Sequence, residues 1–178
     1  MTAPTVPPAE VELVRRFVNT VDVHDETDDL DSPAALGVWL AGAGLVPRGT
    51  PASGRDLQLA LRLRSALRAE LLAHHAGEPD PSAAAALDDV CCALPLRAVC
   101  GPEALAPSVT GVRGALAQVA AAATTARIKG SWNRLKICPA DDCLVAFYDP
   151  SRNRSKRWCS MEVCGNRNKV RAFRDRAR

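Results

Sequence analysis

Apolar residues recur at helical spacing through most of the first 128 residues, and the pattern shortens to strand-like runs after Gly130. In residues 10–20, Val11, Val14, Phe17 and Val18 share one face and predict an amphipathic first helix. Residues 22–31 are acidic and read as a loop. Ser32-Pro33 then supplies a cap and a first-turn proline for a helix through Leu36, Val38, Trp39 and Leu40, stopping at Gly42 or Gly44. Residues 54–75 carry the longest helical pattern, with Leu57, Leu61, Leu67 and Leu71 inward and Arg55, Arg62 and Arg68 outward. Ser82 is placed to cap a further helix through Cys92. Pro95 and Pro107 bracket residues 96–109, which suits a short irregular hairpin, and residues 111–128 form a last helix whose small residues predict close packing.

Beyond Gly130, residues 135–137 read as a strand entering the pair Cys138 and Cys143, and residues 144–148 as a strand leaving it. Asp149-Pro150-Ser151 breaks that strand, a basic loop follows, Trp158 can pack over the cysteines, and Ser160 starts a helix to about Arg176. The predicted fold is therefore mainly α. A helical N-terminal domain with a short β-hairpin covers residues 1–130, and a small treble-clef or ribbon-like finger of hairpin plus helix covers residues 131–178.

Cys138 and Cys143 form one close pair, and Cys159 and Cys164 a second, fifteen residues further on. Two short loops, each presenting two thiolates, are what a tetrahedral four-sulfur zinc site requires, and four thiolates leave no open coordination position. One structural zinc ion is expected, in preference to buried structural thiols or a redox pair. His24, His74 and His75 lie far away in sequence and are assigned to the surface. Cys91, Cys92 and Cys100 are assigned to core packing in preference to redox sensing.

Composition fits a chain able to bury a real core, with 178 residues, 47% hydrophobic and 24% charged. No apolar run reaches the roughly 18 to 20 residues that cross a bilayer, and the N-terminus lacks the charge and apolar run of a signal peptide. A cytoplasmic location follows as the expectation, where thiols stay reduced and paired cysteines hold metal. The net charge of +3 hides a division. Residues 1–128 carry 10 Lys or Arg against 15 Asp or Glu, whereas residues 129–178 carry 13 against 5. The basic part points to a polyanion, so nucleic acid is the expected partner. Arg152, Arg154, Lys156 and Arg157 lie within six residues; Arg167, Arg171 and Arg174 share one helical face, Lys169 is a further candidate on the same helix, and Asn166 is available to cap the helix or read a base. Val163, Val170 and Phe173 form an adjoining apolar strip expected to pack on the hairpin. Catalysis is not expected: there is no Gly-rich phosphate loop, no Gly-x-Ser-x-Gly, no Cys-His pairing, and the paired carboxylates are sequence neighbours that face apart.

The run Cys138-Pro, Phe147-Tyr-Asp149, residues 151–161 and the tetrapeptide Cys164-Gly165-Asn166-Arg167 resemble the CGNR-type zinc finger of bacterial proteins. Phe17-Val-Asn-Thr-Val-Asp22, Gly37-Val-Trp-Leu40, Gly44-Leu45 and the Leu-Arg-rich helix around residues 61–67 are similar to the helical ABATE domain that precedes that finger in a family of stress-induced transcription regulators. The resemblance implies a DNA-binding regulator. The acidic helical domain would sense a small-molecule ligand or form a homodimer. RNA binding and a protein-interaction adaptor with a basic zinc module are the alternatives.

Overall fold

The computed structural model describes residues 6–77, 79–101 and 104–176, and over these the protein is mainly helical. Helix α1 (Ala9–Val18) buries Val11, Val14, Phe17 and Val18, the face its spacing predicts. Contrary to the expected loop, the acidic stretch holds a small antiparallel hairpin, β1 (Val21–Asp22) with β2 (Thr27–Asp28). The cause is tertiary. The Asp28 carboxylate accepts from both terminal nitrogens of Arg64 at 2.6 Å, and Thr20 Oγ1 accepts from the same guanidinium at 3.0 Å.

Helix α2 (Pro33–Gly42) starts as predicted, with Ser32 Oγ accepting from the Ala35 amide at 3.1 Å. Helix α3 (Gly54–Ala76) opens with a capping box between Ser53 and Asp56 and closes at Gly77, whose φ of 78° suits glycine. Arg68 does not point outward: its guanidinium donates to Val18 O at 2.8 Å and to Leu144 O at 3.0 Å, and Arg64 is buried one turn earlier. Leu63, rather than Leu57 or Leu61, lies fully inside. Helix α4 (Pro81–Cys92) is capped by Asp80, not Ser82. Asp80 Oδ1 accepts from the Ser82 and Ala83 amides, and Pro81, with its fixed φ and missing N–H, is the first helical residue. Strands β3 (Leu96–Ala98) and β4 (Leu105–Pro107) make the expected hairpin.

Helix α5 (Gly111–Ile128) is the central element, buried along nearly its whole length against α1 and α3. Its small residues permit close approach. A Cβ on Gly114 would lie 2.2 Å from Val109 O.

Gly130, at φ 72°, turns the chain out of α5. A 3-10 turn (Trp132–Arg134) leads into β5 (Leu135–Ile137), antiparallel to β6 (Ala146–Tyr148) with Leu135 opposite Tyr148 and Ile137 opposite Ala146. Leu144, at φ 52°, belongs to the turn instead of the strand. Leu135, Ile137, Ala146 and Tyr148 join the same hydrophobic core as the helices. Asn19 locks the seam by donating to Ala146 O at 2.9 Å and accepting from the Ala146 amide at 2.7 Å. A π-helical turn (Met161–Gly165), capped by Ser160, precedes α6 (Asn166–Arg176).

The apolar strip of that last helix does not pack on the hairpin: Val163, Val170 and Phe173 are 57%, 50% and 70% exposed. Both faces of the hairpin are already taken. Side chains alternate along a strand; one face lies in the helical core, while Phe147 packs with the cysteine cluster and Lys136 enters a buried polar network.

Candidate metal centre and nucleic-acid interface

The turn between β5 and β6 is a knuckle. Cys138 N donates to Val145 O at 2.9 Å, and Cys143 N to Ala140 O at 2.9 Å, which aims both sulfurs at one point. The π-helical turn supplies Cys164, and Cys159 lies just before Ser160. All four Sγ atoms lie within 4.8 Å of one another. Cys143 to Cys159 and Cys159 to Cys164 are each 3.6 Å. Sulfurs about 2.3 Å from a central zinc sit about 3.8 Å apart at the corners of a tetrahedron, whereas a disulfide requires about 2.05 Å. The donor set therefore fits one structural zinc ion. Burial pushes the Cys143 thiol up to about 11 and Cys159 up as well; burial also opposes ionisation of Cys138, but the backbone of Cys159 and Ala140 and the thiols of Cys159 and Cys164 together outweigh it and draw that thiol down. Packed this way, the thiols need a cation to ionise together.

Helix α6 is tied to the first knuckle through Asp142, which sits 3.0 Å from Arg167 Nη2 and 3.0 Å from Arg171 Nη2. Arg167 Nη2 also lies 3.6 Å from the Cys164 sulfur. Two of the predicted nucleic-acid contacts thus share one carboxylate, which offsets one of their two positive charges.

A second buried cluster holds the basic loop. Lys136, 6% exposed, and Asp149, fully buried, meet at 2.8 Å. Lys136 Nζ also donates to the carbonyls of Arg154 and Lys156. Asp149 accepts from the Ser151 amide at 2.9 Å, the Ser151 hydroxyl at 2.6 Å and the Lys156 amide at 2.9 Å. Burial by itself would raise the Asp149 pKa, but Lys136 and Ser151 outweigh it and hold the carboxyl below its usual range. With its backbone fixed from inside, the loop leaves Arg152, Arg154 and Arg157 exposed and Lys156 half-buried. Arg157 lies over the Trp158 ring at 5.8 Å and Lys156 over Phe147 at 5.3 Å. None of these four cations has a carboxylate partner among the described residues. Asn166, Lys169 and Arg174 are also exposed, along α6.

Two family models match this chain. The model of the ABATE family, whose description is "Putative stress-induced transcription regulator", covers residues 12–128, and that of the CGNR zinc finger covers residues 134–177. The chain belongs to the ABATE family and carries a CGNR zinc finger. No curated protein matches it. Both families are regulator or zinc-finger types, not enzymes.

The tetrapeptide that names the finger has a physical reading here. Cys164 belongs to the four-sulfur cluster that could hold the metal, and Gly165 is where a Cβ would meet Met161 Sδ at 2.7 Å and Trp158 at 3.3 Å. Arg167 faces the cysteine sulfur and Asp142. Asn166 is not the helix cap, a role taken by Ser160; its amide donates to Glu162 O at 3.2 Å.

The ABATE part revises two further expectations. His74 is not a surface residue: its Nδ1 donates to Leu135 O at 2.9 Å, its ring meets Trp132 edge-on at 5.4 Å, and burial lowers its pKa. His75 is half-buried and lowered for the same reason, with Lys136 and Arg157 adding to the effect. Neither approaches the metal cluster. Of the remaining thiols, Cys91 packs at the core edge with its pKa raised by burial, but Cys92 and Cys100 are exposed and do not pack in the core. From the sequence, Arg64 and Lys136 have no individual role, and Asp149 has only that of ending a strand and belonging to a motif. Arg64 has a signal in sequence, a charge at an inward position of a helix, whereas Lys136 alternates away from the inward Leu135 and Ile137 and Asp149 lies beyond β6, so periodicity marks neither. No helix among the described residues is long and apolar enough to cross a membrane.

Proposed function

We propose that this ABATE-family protein is a transcription regulator that binds duplex DNA through its zinc finger, with the finger's contacts made mostly to phosphates. The observation that carries this reading is the basic loop. Four cations are presented on a backbone fixed by Lys136 and Asp149, so little ordering entropy is lost when they meet a polyanion. Exposed Lys169 and Arg174 extend the charge along α6, while Arg167 and Arg171 already share Asp142 and would first have to release it. The helical part, acidic on balance, serves as the sensing or dimerising unit. A cavity of about 710 Å³ between it and the finger, lined by His74, Arg127, Trp132, Lys136 and Arg154 among others, has the size of a small-molecule site.

The test is binding of the zinc-loaded protein to duplex DNA and to RNA across a salt series. With about five phosphates engaged, affinity falls by four to five powers of ten per tenfold rise in salt, at about −0.9 per phosphate. Arg154→Glu together with Lys156→Glu weakens binding to all sequences alike. Tighter binding to RNA than to any DNA replaces DNA with RNA as the target. Undetectable or salt-independent binding to every nucleic acid overturns the reading in favour of an adaptor that meets an acidic protein.

A further inference from the structure

Four of the large apolar side chains that this protein exposes belong to the finger helix and the turn before it: Met161, Val163, Val170 and Phe173. Exposed apolar residues scattered singly need no explanation, but a run at helical spacing with cations on both edges does. Asn166, Val170 and Phe173 are spaced i, i+4, i+7 and lie on one face of α6. At 100° per residue, Lys169 flanks that face on one side and Arg174 on the other, each about 60° to 80° from its centre. All five side chains are exposed. Arg167 and Arg171 lie further round the helix, where Asp142 holds them.

We infer that Asn166, Val170 and Phe173 form the base-reading face of the finger, entering the major groove of duplex DNA and selecting A·T base pairs. The inference rests on the DNA-binding reading above and names which side chains give it sequence preference. The chemistry matches on each component. In the major groove an A·T pair offers the adenine N6 donor together with the thymine methyl group, the one apolar surface on any base edge there. The Asn166 amide donates locally to Glu162 O, which leaves its carbonyl oxygen to accept from adenine N6. Val170 and Phe173 supply apolar contact for thymine methyls. From residue 166 to 173 the helix rises about 10 Å, close to three base pairs at about 3.4 Å each. Lys169 and Arg174, on the two edges, are placed for the phosphates that border a groove. The positive edges are what assign this apolar face to a polyanion rather than to a second protein core.

The test starts from a pool of random 20-base-pair duplexes selected on the zinc-loaded full-length protein. Three to four A·T pairs should be enriched in the recovered sequences. Uracil in place of a contacted thymine removes only the methyl and should weaken binding about fourfold per position, the worth of one buried methyl. Val170→Ser and Phe173→Ser should lower the ratio of selected to random affinity towards one and abolish the thymine-to-uracil difference. Val38→Ser, on an equally exposed apolar residue of α2, should change neither. Selection without any sequence preference, with salt-dependent binding retained, overturns the reading face and leaves the DNA-binding function standing. A preference that survives both serine variants, or variants whose only effect is on self-association, overturns it as well. Absence of binding to any duplex is the separate failure of the DNA-binding reading itself.

Discussion

Replacing Lys136 by Met removes the ammonium from a carboxylate that water cannot reach. Asp149 is fully buried, so its charge loses its nearest compensation, and the carbonyls of Arg154 and Lys156 lose their shared donor. Breaking a buried ion pair from one side costs about 3 to 5 kcal/mol. Asp149 keeps three donors, the amide and hydroxyl of Ser151 and the amide of Lys156, which places the loss near the lower end, about 3 kcal/mol. For a chain of this size that is a fall in Tm of roughly 6 to 12 °C. The assay is denaturant unfolding at a fixed excess of zinc, since metal binding adds to the stability of the folded state. The pH dependence carries a second signature. Because the folded-state pKa of Asp149 is lowered, its contribution is present above the ordinary carboxylate pKa and is lost as pH falls through the lowered value. In Lys136→Met the burial that opposes ionisation is left with less opposition, so the loss moves to higher pH. Adding Asp149→Asn should cost less than the sum of the two single variants by at least about 1 kcal/mol. DNA affinity of Lys136→Met should also fall, although a side chain 6% exposed cannot reach a phosphate. A Lys136→Met protein within about 1 kcal/mol of wild type, or strictly additive variants, would refute the idea that this pair holds the loop.

Cys143→Ser should lower zinc content from one ion per chain to near zero, read by atomic emission on dialysed protein; full occupancy in the variant would remove Cys143 from the ligand set. Because the hairpin shares the helical core, loss of metal should disorder the finger's cysteine loops and α6 while β5 stays protected in hydrogen exchange. Gly114→Ala should destabilise by about 1 to 3 kcal/mol, opposite in sign to the roughly 1 kcal/mol gain expected of an unconstrained helix position, because the added methyl meets Val109 O; a higher Tm would show that residues 107–110 move aside easily. Arg64→Met should cost about 2 to 3 kcal/mol through its two charge-assisted bonds to Asp28, and amide exchange should rise first in residues 21–28.

Local chemistry in the sequence was enough to determine much of this protein. Val11, Val14, Phe17 and Val18 repeat at the helical period, so α1 was legible, and proline and glycine marked the start of α2 and the span of α5, since these residues fix or free φ irrespective of context. The four-cysteine cluster was legible because two short cysteine pairs define a tetrahedral donor set without reference to the rest of the fold. Tertiary structure alone decided which faces were left over. A period of hydrophobic positions says that Val163, Val170 and Phe173 share a side; it does not say whether another surface remains to cover them. The hairpin was already filled on both faces, so the strip stays exposed. Charge counting likewise could not separate Arg167 and Arg171, paired with Asp142, from Arg152 and Arg154, which have no carboxylate beside them. Nor could it find Lys136 and Asp149, because the energy of a buried charge depends on what lies within about 4 Å of it, and the chain brings those neighbours from thirteen to twenty residues away.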